Sequence, residues 1–103
     1  MSGATPFPLS RPKAAAILRQ AAQAEDRVAF TGHAVRRMRQ RHITRLQVLN
    51  CLARGRIVEG PVPDVHGNWA CRVEGFAAGR TLGVAAAIIP PDEAVIVTAF
   101  WVD

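Results

Sequence analysis

The sequence predicts an α+β domain in which N-terminal helices precede a meander of four antiparallel strands. Three observations carry this expectation. Up to Gly55 the apolar residues recur with the helical period of about 3.6, and beyond it they alternate with a period of two. Clusters of Gly, Pro and Asp separate the later apolar runs, so consecutive strands join through short turns. A length of 103 residues, half of them hydrophobic, suits one core and one domain, placed over residues 10–103.

Residues 1–9 read as a loose lead-in, because Pro6, Pro8 and small polar neighbours neither propagate a helix nor pair as a strand. A first helix starts near Ser10, tolerates Pro12 in its first turn, and runs to about Glu25 with Ala14, Ile17, Leu18 and Ala21 on one face. Arg27 to Phe30 read as a short extended link. Thr31 can cap a second helix that reaches Arg41, with Ala34 and Met38 pointing inward and Ile43 closing the turn. Thr44-Arg45-Leu46-Gln47 fits a capping box, in which hydroxyl and amide satisfy each other's unpaired backbone donors. Val48, Leu49, Cys51 and Leu52 then form the buried stripe of a third helix, and Gly55 supplies a left-handed stop.

Arg56 to Glu59 read as a short strand ended by Gly60, Pro61 and Pro63. Trp69 to Glu74 alternate, with Trp69, Cys71 and Val73 on one side and Ala70, Arg72 and Glu74 on the other. Residues 75–79 form a turn, Arg80 to Ile89 a long apolar strand, and Pro90-Pro91-Asp92-Glu93 a turn into Ala94 to Trp101. The last two strands are apolar on both faces, which places them centrally with helices over at least one side.

Charge is split along the chain. Residues 1–59 carry eleven Lys/Arg against three acids, a net of +8, whereas residues 60–103 carry two against five, a net of −3. Five arginines fall between Arg36 and Arg45, and no acid lies between Asp26 and Glu59. This is a footprint for an anion, and phosphate is the anion expected. Twelve of the thirteen basic residues are Arg, whose planar guanidinium favours bidentate phosphate recognition, although GC-rich coding also enriches Arg. The alternative is a solvated face that keeps the protein soluble.

On a helix, His33, Arg37 and Arg41 are four residues apart and line one slowly turning stripe beside Ala34 and Met38. A neutral imidazole there can take the proton of a ribose 2'-hydroxyl while Arg37 and Arg41 clamp the phosphate and stabilise charge on its oxygens. That is metal-free RNA cleavage by internal transesterification, with no cofactor. The leaving 5'-oxygen needs an acid, for which His42, His66 and an arginine are the available groups. In the alternative, His33 caps the helix or hydrogen-bonds a carbonyl, and the basic helix is a non-catalytic nucleic-acid-binding or protein-interaction module.

The pattern Thr31-x-His33-Ala34-x-x-Arg37-Met38-x-x-Arg41-x-Ile43-Thr44, followed by Val48, Leu52, Gly55 and Val58-Glu59, resembles the bacterial family called domain of unknown function 4258, over roughly residues 28–102. That family is similar to the barnase, EndoU, colicin and RelE group, in which helices precede a curved antiparallel sheet and many members are toxin-like ribonucleases. The resemblance therefore implies a RelE-like fold and a toxin-like endoribonuclease with His33, Arg37 and Arg41 as catalytic residues. The partners it implies are RNA, met free or on the ribosome, and a cognate antitoxin protein.

Arg36, Arg39 and Arg45 extend the basic surface as nucleic-acid contacts. Arg72 is a further candidate phosphate contact, or else a cross-strand partner of Glu59 or Glu74. Trp101, at the end of the last strand, is the better of the two tryptophans for contact with RNA or protein, since Trp69 shares its face with Cys71 and Val73. No His or Cys pair has zinc-type spacing, so no metal is expected. Cys51 and Cys71 read as reduced, buried thiols, with a disulfide between them as the alternative. The sequence holds no phosphate-cradling Gly-rich loop, nucleophile elbow or paired carboxylates. It also has no apolar run long enough to span a membrane, and its start lacks the order of a secretory signal, so a cytoplasmic location is expected. An exposed sheet edge offers a route to oligomers.

Overall fold

The side chain of Ser10 accepts a hydrogen bond from the Lys13 backbone N–H at 3.2 Å, and Pro12 lies in the first turn, so α1 (Arg11–Gln23) starts where its cap dictates. The structure is a computed structural model that describes residues 9–102. The lead-in read over residues 1–9 lies outside the described residues except for Leu9, which packs on the core. After α1 come a short 3-10 turn, β1 (Val28–Phe30), α2 (Gly32–Arg41), α3 (Arg45–Arg54), β2 (Arg56–Pro63), β3 (Trp69–Ala77), β4 (Arg80–Ile89) and β5 (Glu93–Trp101).

The sheet has five strands in the order β1-β5-β4-β3-β2, not four. Strands β2 to β5 form the expected antiparallel meander, with β4 and β5 in the interior. The residues read as an extended link are instead β1, which pairs parallel to β5 with Val28 opposite Ala94. Three residues are too few to show a period, and their partner lies far along the chain. The pairing is therefore a tertiary event.

One face of the sheet carries the core. Cys71 and Val73 of β3, Leu82, Val84, Ala86 and Ile88 of β4, and Ala94, Ile96 and Ala99 of β5 are buried against Ala14, Leu18 and Ala21 of α1 and Val48, Cys51 and Leu52 of α3. Val97 is the extra residue of an irregularity, since Thr98 pairs with Ala85 and Ile96 with Ala86. It restores the phase, so Ile96 and Ala99 both face inward although three residues apart. On the other face Arg72, Glu74, Ala85, Ala87 and Phe100 are half-buried.

The outer strand β2 carries two register irregularities, between Ile57 and Glu59 and between Glu59 and Val62. Arg11 reaches across from α1 to its carbonyls, with Nε donating to Gly60 O at 2.7 Å, Nη2 to Val58 O at 3.4 Å and Nη1 to Ile57 O at 3.5 Å. Pro61 and Pro63 have no N–H to offer a further strand.

Gly55 is not the left-handed stop expected of it: its φ is −77° and ψ −172°. Glycine is needed there for close approach, because a Cβ would lie 2.4 Å from Glu74 O and 2.6 Å from Cys51 O. Both cysteines are free thiols. Among the described residues no helix is long and apolar enough to cross a membrane.

Candidate nucleic-acid interface

The position of α2 follows from an unpaired length of β5. Strand β1 pairs β5 only through Ile96, so the outer carbonyls beyond that point need other donors. Helix α2 supplies them. The Thr31 N–H donates to Ile96 O at 3.1 Å, the Thr31 hydroxyl to Val97 O at 3.4 Å, and Arg41 Nη1 to Ala99 O at 2.8 Å. In return the Trp101 indole Nε1 donates to Arg41 O at 2.8 Å. Thr31 also caps the helix, accepting from the Ala34 N–H at 2.9 Å, and Ala34 and Met38 are buried.

The helix ends in a Schellman motif. His42 is left-handed at φ 57°, ψ 44°, the Ile43 N–H donates to Met38 O at 2.9 Å, and Ile43 is buried. Thr44 then forms the expected capping box with Gln47 at the start of α3.

Thr31, Ala34, Met38 and Arg41, at a spacing of three, four and three, are thus the face that docks on β5. Packing leaves His33, Arg36, Arg37 and Arg39 outside, all exposed. Among the described residues the His33 imidazole has no hydrogen-bond partner, whereas Arg37 Nη1 donates to Gln40 Oε1 at 3.0 Å. At about 1.5 Å of rise per residue, His33 and Arg37 stand about 6 Å apart along the axis, and His33 and Arg41 about 12 Å. His33 and Arg37 can share one phosphate. Arg41 is half-buried and holds Ala99, so the three groups expected to converge separate into an exposed pair and a structural brace.

The remaining expected contacts are dispersed. Arg45 lies over the Phe30 ring at 4.7 Å, beside a groove of about 380 Å³ lined by Val35, Met38, Arg39 and Ile43. Arg72 is on the far face of the sheet, 3.2 Å from Glu74 Oε2 and 4.8 Å over Phe100; its ion pair is with a residue of its own strand, and not across to Glu59, which lies opposite it on β2. Trp101 is half-buried, tied to Arg41 and covered by the Arg80 guanidinium at 4.5 Å from its ring centroid. Trp69 is half-buried and packs against the core. The sequence reading gave Arg80 no role, and only the pairing of the β4 start with the β5 end could have pointed to it.

Burial pushes the Cys51 thiol up to about 12, with the negative charge of Glu74 adding to it, and the Cys71 thiol up to about 11. At neutral pH neither is a thiolate, so neither serves as a nucleophile.

Taken together, a sheet backed by helices and edged by an arginine-rich helix with an exposed histidine defines a small α+β domain with a cationic surface suited to anions. The chain belongs to the family described as Domain of unknown function (DUF4258), whose model matches residues 30–101. No curated protein and no solved structure matches it.

Proposed function

We propose that this is a toxin-like RNA-binding domain whose phosphate contacts come from Arg36, Arg37 and Arg39 on the outer side of α2. The observation that carries the reading is the division of α2 into a docking face, which packing explains, and an outer set of three arginines and a histidine, which it does not. Uncompensated arginines repel one another, and an anionic strand relieves that repulsion. The order of helices before a meander supports the RelE-like reading of the fold, with the parallel β1 as its departure. An antitoxin for such a domain would present an acidic surface to the same helix.

A second reading, cleavage, is favoured by the unengaged imidazole of His33 one turn from Arg37. His33 takes the proton of a ribose 2'-hydroxyl, the 2'-oxygen attacks phosphorus, and a 2',3'-cyclic phosphate forms as the bond to the 5'-oxygen breaks. Arg37 stabilises the developing charge. His42 lies beyond the far end of α2 from His33, and in this reading the leaving 5'-oxygen takes its proton from solvent.

The test is fluorescence anisotropy with a labelled single-stranded RNA, run beside an RNA degradation assay and a toxicity assay in cells. Arg36→Ala/Arg37→Ala/Arg39→Ala should weaken binding and lower the slope of log affinity against log salt by about 2, at about 0.7 per phosphate contact. His33→Ala should abolish cleavage and toxicity while leaving affinity unchanged. An unchanged salt slope in the triple variant refutes the RNA-binding helix, and cleavage that survives His33→Ala refutes the catalytic role.

A further inference from the structure

A concavity larger than the groove beside α2 lies elsewhere on the molecule. It opens between the C-terminal end of α3 and the β3–β4 hairpin, encloses about 770 Å³, and is lined by Asn50, Arg54, Arg56, Phe76 and Thr81 above a floor at Cys51. Two glycines shape it. Gly55 lets the backbone press against Glu74 O, and Gly75 leaves the floor bare, since a Cβ there would meet Cys51 Sγ at 3.4 Å.

Two features of the walls are unexplained by folding. Phe76 is 84 % exposed and so buries almost nothing. Arg54 and Arg56 are exposed, and neither has a hydrogen bond or ion pair among the described residues. The one acid in the lining, Glu74, is engaged by Arg72 at 3.2 Å. An accessible ring beside two unneutralised guanidinium groups is the pairing that single-stranded nucleic acids use, with a base on the ring and phosphates on the cations. The volume is within the range that holds a small ligand such as a nucleotide.

The concavity is also joined to α2. Phe76 pairs with Thr81, next to Arg80. Arg80 covers Trp101, and Trp101 holds the carbonyl of Arg41 at the end of α2. These contacts link the β3–β4 hairpin to the end of α2 around the end of the sheet, with Trp101 on the core face beside inward Leu82 and Phe76 on the other face with Arg72 and Glu74.

We propose that this concavity is a second subsite for single-stranded nucleic acid, in which Phe76 stacks a base and Arg54 and Arg56 hold the phosphates flanking it. The inference rests on the RNA-binding reading of α2 and extends it to a strand that crosses the end of the sheet. It selects single strands, because the bases of a duplex are already stacked on one another.

The test is anisotropy at low salt with a labelled RNA of about 12 nucleotides, a length within the usual range of single-strand sites, and with the same sequence as a duplex. Phe76→Ala should weaken single-strand binding about 5- to 100-fold and leave duplex binding unchanged. Arg54→Ala/Arg56→Ala should lower the salt slope by about 1.4. Ultraviolet cross-linking of an RNA carrying 5-iodouridine should mark Phe76 in the wild type. Thermal melts check that the variants fold, which the exposure of all three side chains favours. Single-strand binding by Phe76→Ala within about twofold of wild type overturns the proposal. If the triple α2 variant loses binding while Phe76→Ala keeps it, the subsite falls and the α2 reading stands. If Phe76→Ala loses binding and the α2 variant keeps it, the subsite stands as the principal contact and the α2 reading falls. A wild type that binds no RNA overturns both.

Discussion

Replacing Arg41 with Ala separates a structural brace from a ligand contact. Its Nη1 donates to Ala99 O at 2.8 Å, on a residue that is itself fully buried, and among the described residues no strand reaches that carbonyl from outside. A hydrogen bond from a charged donor contributes about 1.5–3 kcal/mol, and partial exposure of the guanidinium reduces this to about 1–2 kcal/mol. For a domain of this size each kcal/mol moves Tm by about 4–8 °C, so Arg41→Ala should melt about 4–16 °C below wild type. Arg37→Ala, which removes only an exposed contact with Gln40, should melt within about 0.5 kcal/mol of wild type. The assay is a thermal melt by circular dichroism beside RNA anisotropy for both variants. The expected pattern is crossed: Arg41→Ala loses stability and keeps affinity once folded at low temperature, and Arg37→Ala does the reverse. Wild-type stability with lost affinity in Arg41→Ala refutes the brace and returns Arg41 to the phosphate clamp.

Two further outcomes follow from the packing at the end of α3. Gly55→Ala forces a Cβ to within 2.4 Å of Glu74 O and 2.6 Å of Cys51 O, both backbone atoms with little freedom, and should cost about 1–3 kcal/mol in urea denaturation. An unchanged urea midpoint contradicts the close approach. Cys51 has a folded pKa of about 12 against 9.0 for an ordinary thiol, so its contribution to stability is complete below pH 9 and is lost as pH rises from 9 towards 12, where the unfolded chain alone releases the proton. Wild type should therefore lose stability over that window more steeply than Cys51→Ala, measured by melts at successive pH values, and parallel curves count against the burial effect.

The local signals in the sequence were reliable where a few neighbouring residues decide the outcome. Ser10, Thr31 and the Thr44–Gln47 box start their helices because each cap satisfies donors within three residues of itself. The alternation of Trp69 to Glu74 put Cys71 and Val73 inside for the same reason, since the pleat fixes which face each residue takes. A helix stop and a close approach both select glycine, and at Gly55 only the neighbouring strand tells them apart. His42, not Gly55, takes the left-handed position that a Schellman ending needs.

The site was half legible. Spacing placed His33, Arg37 and Arg41 on one stripe of one helix, but whether a residue on a stripe faces solvent or a neighbour depends on what lies beside the helix. Arg41 meets a carbonyl 58 residues away, and β1 meets β5 at a separation of 66. The chain by itself determined the helices, the meander, the two free thiols and the concentration of cationic charge in its first half, because those depend on composition and on contacts a few residues long. Tertiary structure alone decided the fifth strand, the brace role of Arg41 and the meeting of Arg54, Arg56 and Phe76, because bringing distant residues together depends on how the whole core closes.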